Sequence, residues 1–506
     1  MKNTNFIVYS ALIFCFSFFI FSFFRAYDPD LWGHLKFGEY ILLHKSIPYQ
    51  DIYSFVETKD LWVNHEWFSE VVFAFLYPLS PSGSLLLLFK ALAFSFTVLI
   101  PWVYTVRKSR HLIALTLVYL VIILVFSYGT AIRPQIFSYL FFAMTLFILE
   151  KYQLKGKMTF IALPVIFIFW VNSHGGVLAG LALVVFYCLY SLFSDVITAK
   201  KEYNRIDLKN LNFKVLYLPL ILVLVLGVNP YTYHYYPYIL DAILMKRPFV
   251  EEWLSVFSFP GRFVYFFVLV VITATIVVKN LKAVKLSNGY RLILLILLML
   301  VSFSHSRHIP FFALACAFYF PGLIDNILPV AKITVESDQK IPFKPGKQIA
   351  LIAVSFLFIY FTIFNDQNFS YHLEVKEKTD AIFVGYPVKA ANFIRANDLK
   401  GNMITTFNWG EFIIYQLYPE VKVSFDGRYE TVYPDEIVKA NMRFINAQSG
   451  WQEVLESFNP AFVLTSRYDP VTKNMVQESG WPLVFTDKES FLFLNPNYKR
   501  LQQTSL

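Results

Sequence analysis

The chain has 506 residues, of which 57% are hydrophobic and 19% aromatic, and its mean hydropathy is +0.51. So large an apolar fraction excludes an ordinary soluble enzyme, because most of the length must lie in lipid. The net charge of +9 does not indicate nucleic-acid binding, since Lys and Arg fall in short loops between apolar runs. Cys15, Cys188 and Cys316 are far apart inside apolar runs, so neither disulfides nor a thiolate metal site are predicted.

Eleven apolar runs are long enough for one membrane crossing each, at roughly 17 to 22 residues per crossing. They cover residues 6–25, 84–106, 112–129, 134–150, 158–172, 176–194, 215–229, 263–279, 291–304, 308–327 and 348–365. The first run follows Lys2 and lacks a small-x-small cleavage site, which favours a retained span over a secretory signal. The predicted fold class is an α-helical polytopic membrane protein with about eleven spanning helices.

The distribution of basic residues predicts the orientation of these spans. If Lys2 lies inside, the cytoplasmic loops hold about twice as many Lys and Arg as the outer loops, although they are shorter in total. That bias has the sign that the positive-inside rule requires. We therefore expect a cytoplasmic N-terminus and an extracytoplasmic C-terminal segment. High Phe, Ile, Lys and Asn usage fits an AT-rich bacterial genome, so the bacterial cytoplasmic membrane is the expected location.

The composition changes to a soluble pattern from about residue 366. Strand-like alternation occurs at 401–407 and 421–425, and helix-like stretches occur at 387–397 and 434–446. This mixture of strands and helices predicts a small α/β domain.

Two domains follow from this change in composition. Residues 1–365 form the predicted membrane domain, and residues 366–506 form the predicted extracytoplasmic α/β domain. The first outer loop, residues 26–82, is counted with the membrane domain because its aromatic segments are typical of interfacial helices.

The histidines are distributed unevenly between the two faces. Eight of the nine fall on the outer side in this topology: His34, His44, His65, His174, His234, His305, His308 and His372. Random surface histidines would divide between the faces. Polar groups at membrane depth are unfavourable without partners, so their collection on one face indicates a site there.

The residues directly after the first span are candidates for catalysis. Asp28 and Asp30 flank Pro29 and are therefore held close to the membrane surface. If a helix begins after Pro29, Asp30 and His34 lie one turn apart on one face. Such a group suits proton abstraction or a divalent cation such as Mg²⁺ or Mn²⁺. The alternative is that Asp28 or Asp30 only caps the helix.

The same loop alternates aromatic and polar groups further along. Aromatic residues at this depth normally anchor an interfacial helix, so Trp32, Trp62 and Trp67 are interpreted as anchors. An anchor helix does not require His65 or Glu66, which are therefore candidate binding residues.

Four more polar clusters come to the outer face, at 133–135, 172–176, 229–230 and 305–308. Arg133 could simply snorkel to the interface. Arg307 lies between two histidines, and a guanidinium with imidazole donors matches phosphate geometry. The candidate binding residues of this face are His34, His65, Glu66, Arg133, Asn172, His174, His305, Arg307 and His308. The segment Glu251-Glu252-Trp253 adds either a further carboxylate or a solvated acidic turn.

The C-terminal segment has its own polar cluster. Gly427 after Asp426 most simply marks a turn after a strand, which Asp426 caps and beside which Arg428 is paired. The alternative is a surface that binds the acceptor through Trp409, Asp426 and Arg428, with the indole stacked on a sugar or gripping a peptide.

An anion site and carboxylates on one face suggest a membrane transferase with a lipid-phosphate donor. In such an enzyme a carboxylate activates an acceptor hydroxyl and an arginine offsets the phosphate charge.

Two other classes of protein stay open. A transporter or flippase of lipid-linked intermediates would place ionisable residues near mid-membrane and often shows an inverted repeat, whereas the span centres here are almost free of charge. In a non-catalytic assembly factor the polar clusters would not converge.

The chain resembles a bacterial group of GT-C-like proteins within the GT-C superfamily of polyprenyl-phosphate-dependent membrane glycosyltransferases. The resemblance covers essentially the whole chain. It rests on Asp-x-Asp-Leu-Trp-x-His-Leu (Asp28 to Leu35), His-Glu-Trp (His65 to Trp67), Arg-Pro-Gln (Arg133 to Gln135), Asn-x-His-Gly-Gly (Asn172 to Gly176), Ser-Arg-His-Ile-Pro (Ser306 to Pro310) and Asp-Gly-Arg (Asp426 to Arg428). These motifs are specific for the group but not for a sugar.

The resemblance implies an inverting transfer from a polyprenyl-phosphate or polyprenyl-diphosphate sugar, with an Asp of the first outer loop as general base. Asp28 or Asp30 is then the base, and Arg307 is the candidate contact of the donor phosphate. Some members bind a divalent metal and others need none. Here Pro29 separates two Asp residues that are adjacent in the protein mannosyltransferases, which leaves the base and the metal open. The implied partners are the lipid bilayer, the polyprenyl-linked donor and an acceptor of unknown type.

Overall fold

The computed structural model of the chain describes residues 2–23, 28–80, 83–109, 111–154, 156–203, 211–245, 250–282, 286–328 and 385–498. The predicted eleventh span, 348–365, and His372 lie outside these residues. The chain divides into two compact units. The first unit consists of Met1–Ala26 and Ser84–Phe369, and the second of Tyr27–Gly83 and Ser370–Leu506.

Helices dominate the chain up to Leu328. In chain order they are α1 (Lys2–Phe23), α2 (Leu31–His44), α3 (Trp67–Leu76), α4 (Ser84–Thr105), α5 (Leu112–Phe126), α6 (Gln135–Tyr152), α7 (Lys157–Val171), α8 (Val177–Tyr203), α9 (Tyr217–Val225), α10 (Tyr235–Leu244), α11 (Val264–Asn280), α12 (Gly289–Ser304) and α13 (Ile309–Ile327). Of these, α2 and α3 belong to the second unit. Short 3₁₀ turns at Glu251–Trp253 and Ser306–His308 carry residues of the candidate site.

Five helices, some extended by an adjoining 3₁₀ turn, are long and apolar enough to cross a membrane: Ser84–Thr105, Leu112–Gly129, Val177–Lys201, Pro260–Asn280 and Ser306–Ile327. Each of the ten predicted runs that the structure describes contains a helix, which confirms the prediction of an α-helical polytopic membrane protein. α9 is shorter than its run, at 9 residues. A helix of that length rises only about 14 Å, less than one crossing.

α13 lies at the centre of the first unit. Every residue from Ile309 to Pro321 is buried, and the helix packs against α4, α5, α11 and α12. A helix that is apolar all round belongs in the interior of a bundle. The 3₁₀ turn that precedes it, Ser306–His308, is therefore fixed to the start of this buried helix.

The second unit contains a five-stranded sheet. Its strands are β1 (Gly401–Thr405), β2 (Val421–Val423), β3 (Phe462–Ser466), β4 (Leu483–Thr486) and β5 (Ser490–Leu494), in the order β2-β1-β3-β5-β4. β2, β1 and β3 are parallel, with Met403 opposite both Val423 and Phe462, whereas β5 is antiparallel to β3 and to β4. The predicted strands at 401–407 and 421–425 are therefore confirmed.

Six helices accompany this sheet: α14 (Val388–Ala396), α15 (Gly410–Leu417), α16 (Tyr429–Val432), α17 (Asp435–Ile445), α18 (Trp451–Phe458) and α19 (Pro470–Glu478). α14 and α17 match the two predicted helical stretches. The core between sheet and helices contains Ile404, Phe444, Trp451, Val463 and Phe493. The prediction of a small C-terminal α/β domain is confirmed.

The first loop is part of this second unit. The Phe55 amide donates to the Val423 carbonyl at 3.2 Å, and the Val423 amide donates to the Tyr53 carbonyl at 3.2 Å. Ser54 thereby forms a parallel bridge that continues the sheet beyond β2. Residues 26–82 are predicted to belong to the membrane domain, whereas the structure groups Tyr27–Gly83 with the C-terminal segment.

Candidate active site

Carboxylates meet at one edge of the second unit's sheet. β1 and β2 are parallel neighbours, so their carboxyl ends lie at the same edge. Glu411 follows β1 in the first turn of α15, and Asp426 follows β2. This edge is where parallel sheets commonly bind ligands.

Asp30 joins these residues from the first loop. The Gly33 amide of α2 donates to Glu411 Oε2 at 3.2 Å. A Cβ atom at Gly427 would lie 2.6 Å from Asp30 Oδ1 and 2.7 Å from Glu411 Oε1, so any other residue here would force the two carboxylates to shift. Asp28, Asp30, Glu411 and Asp426 are called the carboxyl cluster below.

Burial and neighbouring charges favour a proton on Glu411. Glu411 is buried, with only 4% of its surface exposed. Burial first, and then the negative charges of Asp30, Asp426 and Asp28, raise the pKa of Glu411 well above its usual range, while Arg428 opposes them. Glu411 is thus suited to remain a carboxylic acid beside a carboxylate.

The structure separates the roles of Asp28 and Asp30. Asp28 Oδ1 accepts the Asp30 amide at 3.0 Å, and the Asp28 carbonyl accepts the Tyr386 hydroxyl at 3.2 Å. Asp30 is the N-cap residue of α2, but its side chain accepts no capping hydrogen bond. The capping alternative therefore describes Asp28, which holds the backbone before the helix, better than Asp30, which is partly exposed.

A second polar group surrounds His34, one turn after Asp30 as predicted. His34 Nδ1 lies 3.3 Å from Glu70 Oε1, and His34 Nε2 lies 4.0 Å from Glu66 Oε2. The Asn64 amide donates to Glu70 Oε2 at 2.6 Å, and His65 Nε2 lies 3.6 Å from Glu66 Oε1. Three predicted residues thus converge with Glu70, which the sequence analysis did not select.

The His34–Glu70 pair tends to retain its proton. Burial lowers the pKa of His34, but the hydrogen bond to Glu70 and the charges of Glu66, Glu70 and Asp30 outweigh it and raise the pKa. Burial also raises the pKa of Glu70, against the hydrogen bonds from His34 and Asn64. The pair that holds this proton lies one helical turn from Asp30.

Arg428 and Asp426 have extensive internal partners. Arg428 donates to Asp426 Oδ1 from Nε at 2.9 Å and to Asp426 Oδ2 from Nη2 at 2.7 Å, and it also pairs with Asp51 of the first loop. The Tyr433 hydroxyl donates to Asp426 Oδ2 at 2.6 Å. These contacts are those of a buried structural tie, in line with the turn interpretation of the sequence.

Aromatic rings complete the surroundings of Arg428. Its Cζ lies 4.8 Å from the Trp62 ring centroid, 5.0 Å from Phe37 and 5.2 Å from Tyr53. Trp62 is 2% and Trp32 3% exposed, so the interpretation of these two rings as membrane anchors is wrong. A ring packed inside the second unit presents no face to lipid.

Trp409 is also an interior residue. Its ring is buried, and Nε1 donates to the Gly385 carbonyl at 2.9 Å. The structure places this predicted binding residue in the core of the second unit, just before α15, where it supports the turn that carries Glu411.

In the first unit, two arginines of the predicted motifs meet the segment Glu251–Trp253. Arg133 Nη1 lies 2.8 Å from Glu252 Oε1. Arg307 Cζ lies 4.3 Å from the centroid of the Trp253 ring, and the His305 ring lies edge-on to that indole at 5.6 Å. His308 is in turn perpendicular to His305 at 5.9 Å. Arg133, Glu252, Trp253, His305, Arg307 and His308 are called the arginine cluster below.

His174 and Asn172 organise the turn between α7 and α8. The Trp170 indole donates to Ser138 Oγ at 2.7 Å, and Ser138 Oγ lies 2.7 Å from His174 Nδ1. The Gly176 amide also donates to His174 Nδ1 at 2.9 Å, which favours the tautomer protonated at Nε2. Asn172 donates to the Val228 carbonyl at 2.8 Å. These two predicted residues therefore have structural partners, for His174 on α6 and for Asn172 in the segment after α9.

The described side chains do not complete a metal site. Within the ranges that the structure covers, no group of three or more His, Cys, Asp and Glu residues is arranged to hold a metal ion. One carboxylate oxygen of Asp28 also accepts a hydrogen bond from the Asp30 amide. A divalent cation at Asp28 and Asp30 stays a prediction, and no step below depends on it.

Comparison with solved structures identifies the fold. The crystal structure of the Archaeoglobus fulgidus oligosaccharyltransferase in the apo form matches with a TM-score of 0.52 at 12% identity, over 91% of this chain and 69% of that one. The same enzyme tethered by a disulfide to an acceptor peptide with the NVT sequon matches with a TM-score of 0.55 at 12% identity, over 91% and 68%. Oligosaccharyltransferases are GT-C glycosyltransferases. The chain has a GT-C-like fold.

The other comparisons do not add support for the GT-C-like fold. ArnT from Cupriavidus metallidurans bound to undecaprenyl phosphate covers 96% of this chain and 97% of its own at 12% identity, but the TM-score is 0.46. The sequence matches no protein-family model and no curated protein.

Some residues of this GT-C-like chain were missed by sequence reasoning. Glu70 lies four residues after Glu66, and this helical spacing was the signal that could have found it. Glu411 and Asp51 carried no such signal, because their partners are distant in sequence: Arg428 and Asp51 are 377 positions apart.

Proposed function

We propose that the protein is an integral membrane glycosyltransferase. It transfers a sugar or glycan, with inversion, from a polyprenyl-phosphate or polyprenyl-diphosphate donor to an extracytoplasmic glycan, lipid or protein. The observation that carries the proposal is the carboxyl cluster around Asp30 in a chain with a GT-C-like fold. Polar clusters that converge inside each unit argue against a non-catalytic assembly factor.

Asp30 is the general base of this proposal. Asp30 is partly exposed, and its carboxylate makes no capping hydrogen bond to α2. Asp28, in contrast, is buried and accepts a hydrogen bond from the Asp30 amide. Asp28 is therefore a positioning residue. A base must reach the proton that it abstracts, so the partial exposure of Asp30 favours it over the buried Asp28.

The reaction balances without an external reactant. Asp30 takes the proton of the acceptor hydroxyl, and the acceptor oxygen forms a bond to the anomeric carbon. The bond from that carbon to the phosphate oxygen breaks on the opposite face, and the phosphate leaves with the electron pair. The family resemblance is what supports Arg307 as the group that holds the donor phosphate, because a guanidinium offsets its growing charge.

The test compares lipid-linked sugars and glycan products in cells that carry the wild type, Asp30→Asn, Asp28→Asn or Arg307→Ala at matched protein levels. Asp30→Asn should accumulate a polyprenyl-linked sugar while its product disappears. Asp28→Asn keeps an oxygen that accepts the Asp30 amide, so it should retain most of the product. Asp60→Asn, on an exposed residue of the same loop, and Arg262→Ala, on a half-exposed arginine, are the matched controls.

Normal glycans and unchanged lipid intermediates in Asp30→Asn and Arg307→Ala would overturn the proposal. A transport role for lipid-linked intermediates would then replace it. Loss of product in Asp60→Asn as well would show that the assay responds to protein damage in the loop and would remove Asp30 as the base.

A further inference from the structure

Two consecutive residues of the first unit hold the two arginines of the arginine cluster in different ways. Glu252 forms an ion pair with Arg133 at 2.8 Å. Trp253 stacks its indole under the Arg307 guanidinium, 4.3 Å from Cζ to the ring centroid. A carboxylate offsets the charge of its arginine, whereas an aromatic face orients a guanidinium without adding a negative charge of its own.

The segment that carries Glu252 and Trp253 is fixed to the segment that carries Arg307. The Ser306 amide donates to the Leu254 carbonyl at 3.2 Å, and Ser306 Oγ donates to the Glu252 carbonyl at 3.3 Å. Ser255 Oγ donates to the Phe303 carbonyl at 2.8 Å. These bonds set the register of the two segments, so the Glu252 backbone is fixed next to Ser306, the residue before Arg307, while its carboxylate pairs with Arg133.

The Arg133–Glu252 pair is open to exchange with an anion. The side chains are 19% and 40% exposed. An ion pair in partial contact with water is weak, and a phosphate can compete with the carboxylate for the guanidinium. The carboxylate therefore acts as an internal competitor for any second phosphate that approaches Arg133.

We propose that Glu252 is a specificity-determining residue that selects a donor with a single phosphate over a donor with a diphosphate. A polyprenyl-phosphate sugar is a phosphodiester with one negative charge, which Arg307 complements while Glu252 occupies Arg133. A polyprenyl-diphosphate sugar carries a second negative charge, which the Glu252 carboxylate repels. This inference rests on the proposed function and narrows its donor class.

The experiment measures binding of two probes to the full chain in lipid nanodiscs. The probes are the methyl esters of a short-chain polyprenyl phosphate and of the corresponding diphosphate, in which methyl stands in for the sugar. The wild type should prefer the monophosphate ester. Glu252→Gln should raise the affinity for the diphosphate relative to the monophosphate by about tenfold, because it removes one repulsive charge.

Neighbouring residues supply the controls. Glu251→Gln changes the adjacent carboxylate, which pairs with Arg262 at 2.6 Å, and should leave the ratio of affinities unchanged. Glu252→Asp keeps the charge and should keep the wild-type preference, which separates the charge from any effect on folding.

The outcomes distinguish this inference from the proposed function. If both esters bind and compete with each other, but Glu252→Gln leaves their ratio unchanged, Glu252 does not select the donor and only the inference is overturned. The same holds if Glu251→Gln shifts the ratio equally. If the wild type binds neither ester, the proposal that the donor is a lipid phosphate is overturned together with this inference.

Discussion

The arginine cluster of the first unit and the Arg428 tie of the second unit contain the same charged groups under opposite conditions. Arg133 and Glu252 are partly exposed, with one ion pair between them. Arg428 is buried between Asp426 and Asp51 and is surrounded by three aromatic rings. Exposed pairs contribute little stability and exchange partners readily, whereas a buried charge must keep its partners. The first cluster is therefore suited to the proposed exchange with a phosphate, whereas the second has an architectural role.

The largest expected effect comes from breaking the buried tie. Arg428→Ala leaves Asp426 and Asp51 buried without their cation and should destabilise the second unit by about 3–5 kcal/mol. Thermal and denaturant unfolding of the full chain, followed by tryptophan fluorescence, measures it. Arg443→Ala is the control, because that arginine is 43% exposed and lies 4.0 Å from Glu453. Equal unfolding curves for the two variants would contradict the structural role of Arg428.

A methyl group tests the close approach of the carboxylates. Gly427→Ala places a carbon 2.6 Å from Asp30 Oδ1 and 2.7 Å from Glu411 Oε1. The carboxylates must move apart, which should cost about 1–3 kcal/mol of stability and lower the transfer rate. Unfolding and activity measurements both report it. Gly261→Ala, where a Cβ meets no atom within 4 Å, should change neither quantity. An active, stable Gly427→Ala protein would show that Asp30 and Glu411 do not need this spacing.

The proton on Glu411 predicts a pH dependence of stability. Because the pKa of Glu411 is raised in the folded chain, its contribution is fully present below the ordinary glutamate pKa of 4.5 and is lost as pH rises through the raised folded value. Within that window a single group changes stability by about 1.4 kcal/mol per pH unit. Glu411→Gln should remove this part of the decline, as seen in unfolding curves collected across the window. Parallel pH curves for the variant and the wild type would refute a proton on Glu411.

The smallest effect belongs to the exposed pair. Glu252→Gln should change the free energy of unfolding by less than about 1 kcal/mol, because the Glu252 side chain is 40% exposed. Unfolding of the full chain under the conditions used for Arg428→Ala measures it. A loss as large as that of Arg428→Ala would mean that the Glu252 carboxylate is architectural, and the contrast between the two clusters would disappear.

Local patterns in the sequence predicted much of this molecule. Apolar runs located the helices, Pro29 located the start of α2, and the spacing of Asp30 and His34 placed both one turn apart. The turn interpretation of Asp426 and Gly427 also followed from local chemistry. These features depend on neighbours along the chain, which periodicity and turn rules describe.

Long-range contacts could not be predicted in the same way. Glu411 meets Asp30 and Gly33 only because β1 and β2 are parallel neighbours, and Asp51 meets Arg428 only because residues 53–55 extend that sheet. The aromatic pattern of the loop predicted a lipid interface for Trp32 and Trp62. That prediction was wrong, because an aromatic side chain suits a packed interior equally well. In the structure both indoles are buried against other aromatic rings, and those of Trp32 include rings far away in sequence, such as Phe412.

The central claim is that Asp30 removes the proton of the acceptor. The most direct measurement is the single-turnover transfer rate of the purified full chain with its polyprenyl-linked donor, for the wild type, Asp30→Asn and Asp28→Asn. The account predicts a fall of roughly 10² to 10⁴ for Asp30→Asn and a much smaller fall for Asp28→Asn, because only the first substitution removes the base. Equal rates for Asp30→Asn and the wild type, or the larger loss in Asp28→Asn, would contradict it.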